Sequence, residues 1–323
     1  MPRLGIILCI AVLAVAGCGG ETGTDRPGET ASLLLDFTPN GVHAGIYLAT
    51  ERDYDDAEGV HLEVRAPGAS TDALRLLQAG RVDMAILDIH DLALARQQGR
   101  DVVGVMALVQ RPLAAVLAQP DIRRPRDLDG KRAGVTGLPS DVAVLRSVVQ
   151  GDGGDPDSVK TTTIGFEAVK ALLARRVDAA TAFWNVEGVA LHARRPATRE
   201  FRVDEYGAPP YPELVLCVTR QTLEEQRPAV AAAIRALRRG YTETQADPDS
   251  AVSALVDANP DLQRDAASAQ LDAVDPAFTA GADYYGQLRE DVLRKWAAWD
   301  LKFGIVSKPI DVGAAFDTSV GAP

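Results

Sequence analysis

Apolar residues in this chain fall into short solid runs separated by stretches with a single apolar face. The run Leu33 to Phe37 leads into Thr38-Pro-Asn-Gly41, and an apolar-faced stretch follows from Val42. A buried strand, a sharp turn and a helix are predicted, because proline cannot continue a ladder and Asn-Gly accepts positive φ. Val60 to Arg65 alternates as a half-exposed strand. Ser70-Thr71-Asp72 offers caps for a helix running to Gln78, which Gly80 closes. Asp83 to Leu87 reads as a buried strand, and Asp88, His90 and Asp91 open a helix that reaches Gln98. Val102 to Val109 is the next apolar strand. This rhythm of strand and helix implies a largely parallel sheet covered by helices.

A second set of units follows a break of prolines and charges at 120–126. Leu113 to Ala118 reads as a strand leaving the first set. Asp127 to Val135 starts the second, and Thr136-Gly-Leu-Pro-Ser140 ends its strand and opens a helix to Gln150. Strands at 159–164, 178–183 and 201–203 alternate with helices at 166–175 and 186–193, and Leu214 to Val218 reads as the chain crossing back. Beyond Gln221 the pattern is helix after helix. Arg235, Arg238 and Arg239 fall on a wet face, Pro248 and Pro260 stand at helix starts, and Trp296 and Trp299 fall at helical spacing in the core of the last one.

The expected architecture is therefore α/β with two lobes. Lobe 1 takes residues 31–115 and 214–323, including the helical tail, and lobe 2 takes 116–213. Crossings near 113–120 and 207–216 give the periplasmic-binding-protein-like (type II) layout, whose halves close on a ligand by hinge bending.

Composition narrows the function. The formal net charge of −11 over 323 residues argues against nucleic acid as a partner, since phosphate binding needs clustered positive charge. Residues 1–18 read as a signal peptide: Arg3, an apolar run from Leu4 to Ala16 too short for a comfortable membrane span, then Val15-Ala-Gly-Cys18. That ending resembles a bacterial lipobox, which implies cleavage before Cys18 and acylation of that cysteine. More than one acyl chain makes anchoring stable. Gly19 to Thr30 has the composition of a flexible tether. Cys217, within an apolar strand, is expected to be an inert core residue, and no pair of cysteines has zinc or redox spacing.

Ligands of open α/β sheets sit beyond the carboxyl ends of the strands. Candidates there are Asp36, Phe37, Asn40, His43 and Asp88 in the first lobe. Trp184, Asn185 and Glu187 belong to the second, and Tyr206, Tyr211 and Glu213 lie near a hinge. Trp184 follows a strand end, where a flat heteroaromatic ligand stacks well. Asp36 and Glu187 suit the donor-rich edge of an aminopyrimidine and would repel an anion. Glu187 is also a first-turn acid that the helix dipole favours by itself. Thr136 to Ser140 offers a glycine turn with a capping hydroxyl, or backbone N–H groups for an anion. His43 and His90 lack metal-ligand spacing, so no metal is expected, and no cofactor either.

The stretch Asp36-Phe-Thr-Pro-Asn40 followed by His43-Ala-Gly-Ile-Tyr47 resembles the opening signature of solute-binding proteins for thiamine pyrimidine precursors. Members of that family usually carry Trp where Phe37 stands. Thr181-Ala-Phe-Trp-Asn-Val-Glu187, Glu205-Tyr-Gly207 and Tyr211-Pro-Glu-Leu-Val215 extend the resemblance. It implies a lipid-anchored, extracytoplasmic binding protein that feeds an ABC permease. The ligand would be of hydroxymethylpyrimidine or formylaminopyrimidine type. Riboflavin, sulfonate and nitrate binders are the alternatives at the same fold. The fungal pyrimidine synthase shares the fold too, but residues 83–91 contain no lysine for its pyridoxal phosphate, and its cysteine-rich segment is missing, so a binding protein rather than an enzyme is expected.

Overall fold

The computed structural model describes residues 29–68 and 72–322. The signal peptide with Cys18, the tether up to residue 28 and the Ser70-Thr71 cap lie outside the described residues. Among the described residues, ten strands form two five-stranded sheets. The first holds β1 (Glu29–Leu34), β2 (Val60–Arg65), β3 (Met84–Asp88), β4 (Val102–Ala107) and β10 (Leu214–Thr219), in the order β2-β1-β3-β10-β4. The second holds β5 (Ala114–Ala118), β6 (Arg132–Val135), β7 (Lys160–Thr163), β8 (Ala179–Phe183) and β9 (Arg199–Arg202), in the order β7-β6-β8-β5-β9.

Pairings β1–β2, β1–β3, β6–β7 and β6–β8 are parallel, as helix-covered apolar runs dictate. The two strands that follow a crossing run the other way. β5 lies antiparallel between β8 and β9, and β10 lies antiparallel between β3 and β4.

The first strand begins earlier than the apolar run suggests. Residues 29 and 30, expected in the tether, pair with Val60 and His61 in a six-residue parallel register. Their exposed side chains hide this from a hydrophobic pattern. The turn after β1 also differs from expectation: Asn40 is extended, at φ −156°. Gly41 is there for proximity, since a Cβ on it would lie 2.4 Å from the Leu271 amide nitrogen. Pro260 lies in a connecting turn, and the helix after it starts at Arg264.

The tail helices return to the first sheet. Helix 227–246 buries Ala229, Ile234, Leu237 and Tyr241, and it meets helix 44–51 where Gly240 lets the backbones touch. A Cβ there would sit 2.2 Å from the Gly45 carbonyl oxygen. Tyr241 donates to the Val42 carbonyl at 2.8 Å. Helix 264–278 goes further than a lobe 1 tail, packing also on residues 184–194 of the second lobe. Trp296 and Trp299 are core residues, and Cys217 is fully buried in β10. Among the described residues no helix is long and apolar enough to cross a membrane.

Candidate functional site

The turn after β1 is built from its own polar side chains. Asn40 Oδ1 accepts the Val42 N–H at 3.0 Å, and Asn40 Nδ2 donates to the Thr38 carbonyl at 2.9 Å. His43 Nδ1 lies 3.3 Å from the Asn40 amide nitrogen, which can only donate. The imidazole proton therefore sits on Nε2, which donates to Asp36 Oδ1 at 2.9 Å. His43 is wholly buried and does not line the cavity between the two sheets; its ring holds Asp36 in place.

Asp36 opens onto a cavity of about 330 Å³ between the two sheets. Phe37, Asn40, Asp88 and Glu213 share the first-lobe side, and Thr136, Ser140, Asn185 and Glu187 the second. Apolar walls come from Ile86, Leu94, Leu138, Val144 and Leu214. Phe37 and Phe166 meet edge to face across the cleft, with ring centroids 4.4 Å apart.

Asn185 is fully buried on this wall, and neither its Oδ1 nor its Nδ2 has a hydrogen-bond partner. It belongs to a single π-helical turn, Trp184–Gly188, that follows β8. Such turns are frequent at functional sites. A buried amide with nothing to bond costs about 1–3 kcal/mol, so its orientation suits a guest that supplies the partners.

Carboxylates make up most of the polar part of the wall: Asp36, Asp88, Asp91, Asp141, Glu187 and Glu213 all line the cavity. Arg75 is its one basic lining residue among those described, and it is paired with Asp72 at 2.7 Å. Burial pushes Glu187 up to about 7, with smaller contributions from Asp141 and Asp36; its Oε2 accepts the Phe183 N–H at 3.2 Å. Burial likewise lifts Asp91 to about 6 and raises Asp88 and Asp141 above the usual carboxylate range.

Asp91, Asp141, Phe166 and Phe183 were not among the sequence candidates. The two acids look like ordinary first-turn helix acids, and only tertiary placement turns them toward the cleft.

Three aromatic expectations need correction, because the side chains do not line the cavity. The Trp184 indole is 5 % exposed, donates to the Pro112 carbonyl at 2.9 Å and lies under the Arg202 guanidinium. It therefore packs inside the second lobe and is not a stacking platform. Tyr206 packs edge-on to Phe201. Tyr211 is fully buried, with its hydroxyl 3.2 Å from His90 Nε2. The alternative of an anion at Thr136 to Ser140 also fails. The Asp141 carboxylate already takes the Thr136 N–H at 2.8 Å and its hydroxyl, so negative charge fills that place.

Two α/β lobes joined by two crossings over a shared cleft define a type II periplasmic-binding-protein fold. The alkanesulfonate-binding protein of Xanthomonas axonopodis pv. citri, solved with MOPS bound, has this fold. It superposes with a TM-score of 0.71 at 16% identity, over 89% of this chain and 98% of its own length. Residues 40–251 match the family model described as NMT1/THI5 like, and the chain belongs to that family. It is 33% identical to the formylaminopyrimidine-binding protein of Halalkalibacterium halodurans over 78% of this chain and 77% of that one. A 4-amino-5-hydroxymethyl-2-methylpyrimidine phosphate synthase of Saccharomyces cerevisiae is 24% identical over 73% of each chain.

Proposed function

We propose that this protein binds a thiamine pyrimidine precursor, of formylaminopyrimidine or hydroxymethylpyrimidine type, and delivers it to an ABC importer without catalysing any step. The observation that carries the reading is the cavity wall. Six carboxylates, one basic residue that is already paired, and an unpartnered Asn185 amide make a surface that accepts hydrogen bonds. An aminopyrimidine offers an exocyclic amine to Asp36 or Glu187, and its ring nitrogens accept from the Asn185 amide. A sulfonate or nitrate would find several carboxylates and no unpaired basic residue among the described residues of this lining. Phe37 and Phe166 supply the apolar faces. The relative that binds formylaminopyrimidine supports the ligand class, and a more distant relative is a synthase of an aminopyrimidine phosphate.

In this reading the chain works outside the cytoplasm, held to the membrane by acyl groups on Cys18, and the importer reads the closed lobes. Replacing Cys18 with Ser releases the protein to the soluble fraction if that anchor is used. The ligand test is thermal unfolding of the chain from residue 19 with hydroxymethylpyrimidine, formylaminopyrimidine, thiamine, riboflavin and taurine. A ligand at a hundred times its Kd stabilises by about 2.7 kcal/mol. The two simple pyrimidines are expected to raise the midpoint and taurine to leave it unchanged. A rise confined to riboflavin or taurine overturns the assignment.

A further inference from the structure

The cavity has an inner end that ring recognition leaves unused. Glu213 is fully buried and stands just before β10, where the chain returns to the first lobe. Its Oε2 accepts the N–H groups of Leu113 and Ala114, at 2.7 and 2.9 Å, on the first crossing. Its Oε1 lines no hydrogen bond at all. The His90 Nε2 lies 3.8 Å from that oxygen, beyond hydrogen-bond reach. Asp88 is beside it on the same wall: the side-chain ligand atoms of Asp88, His90 and Glu213 all lie within 4.8 Å of one another. One Asp88 oxygen caps the helix through the His90 N–H at 2.8 Å.

Behind them, Asp300 Oδ1 lies 2.8 Å from His90 Nδ1. Three carboxylates therefore surround one imidazole. Asp88 and Glu213 stand on the cavity side of that imidazole, and Asp300 stands behind it.

We propose that Asp88 and Glu213 form an inner subsite for a protonated amine carried as an arm on the bound ring. This rests on the ring-binding reading for the outer end of the cavity. An ammonium suits the place better than a metal ion. It brings three donors to acceptors that stand unfilled, chiefly Glu213 Oε1 and the free Asp88 oxygen. A metal would need His90 Nε2, whose direction is taken by the Tyr211 hydroxyl at 3.2 Å. The subsite also gives the hinge a direct sensor, because the carboxylate that meets the amine is the one that ties the two crossings together.

The test compares two pyrimidines that differ in the arm alone, 4-amino-5-aminomethyl-2-methylpyrimidine and its 5-hydroxymethyl counterpart, by calorimetry at pH 7. The parent is expected to bind the aminomethyl compound about tenfold more tightly, as a charge-assisted contact allows. In Glu213→Gln the amide oxygen still accepts both crossing N–H groups, and in Asp88→Asn the cap persists. Both variants are expected to bring the ratio of the two affinities close to one. A ratio near one in the parent overturns the subsite, as does a ratio kept in both variants. Stabilisation by zinc chloride alone, lost in Glu213→Gln, would assign the group to a metal instead and also overturns it.

Benzylamine and benzyl alcohol separate this from the ring assignment. If neither pyrimidine binds but benzylamine alone stabilises the parent and not Glu213→Gln, the inner subsite stands and the ring reading falls. If no amine of any kind binds, both fall.

Discussion

Asn185 carries the cost of a buried amide that the protein's own groups do not satisfy. Its amide is buried with both polar atoms unpaired. Asn185→Ala is therefore expected to raise apo stability by about 1 kcal/mol, read as a higher denaturant midpoint, while weakening pyrimidine binding at least tenfold. A variant that loses stability and keeps affinity would place Asn185 among structural residues. Glu187 shows the same conflict through pH. Its folded pKa of about 7 lies above the ordinary 4.5, so the folded state holds a proton that the unfolded chain has released. Stability is then full below about pH 4.5 and falls as pH rises toward 7. Glu187→Gln keeps an acceptor for the Phe183 N–H without that penalty. It should match the parent at pH 4 and exceed it by about 1–3 kcal/mol at pH 8 in urea titrations. Of the site residues, Asp36, Asn40 and Glu187 could be picked from their place after apolar runs. The unpaired state of Asn185 could not, because it follows from the whole set of neighbours around the π-helical turn.

At the scale of elements, apolar runs announced most strands, since parallel strands covered by helices are buried on both faces. What the runs could not tell was the direction in which a side chain leaves a strand end. Trp184 and Asn185 are adjacent, and the turn that follows β8 sends the indole inward while the amide lines the cleft. Trp184→Phe removes the hydrogen bond to Pro112 and weakens the contact with Arg202. It is expected to lower stability by about 1–2 kcal/mol and to leave ligand affinity within about twofold. A large loss of affinity with little loss of stability would restore the stacking role. Gly41 was legible as turn chemistry but for a different cause, namely close contact with a helix 230 residues further along the chain, at Leu271.

For the whole molecule, the edge-to-face contact of Phe37 and Phe166 spans the cleft, so the described arrangement has the lobes in touch. Ligand is expected to favour this arrangement over an opened one. Small-angle scattering should then show a smaller radius of gyration on adding hydroxymethylpyrimidine, and none with taurine. An unchanged radius with a ligand that binds would mean that closure does not accompany occupancy.

The placement of β10 has a bearing on how the chain acquires its shape. The second sheet draws all its strands from one continuous stretch, 114–202, whereas the first lacks its fourth member until residue 214 has been reached. During synthesis or export the second sheet can assemble while the first still has a gap between β3 and β4. The first sheet thus waits for residues that follow the second, and a truncation between residues 202 and 214 leaves the facing edges of β3 and β4 unpaired.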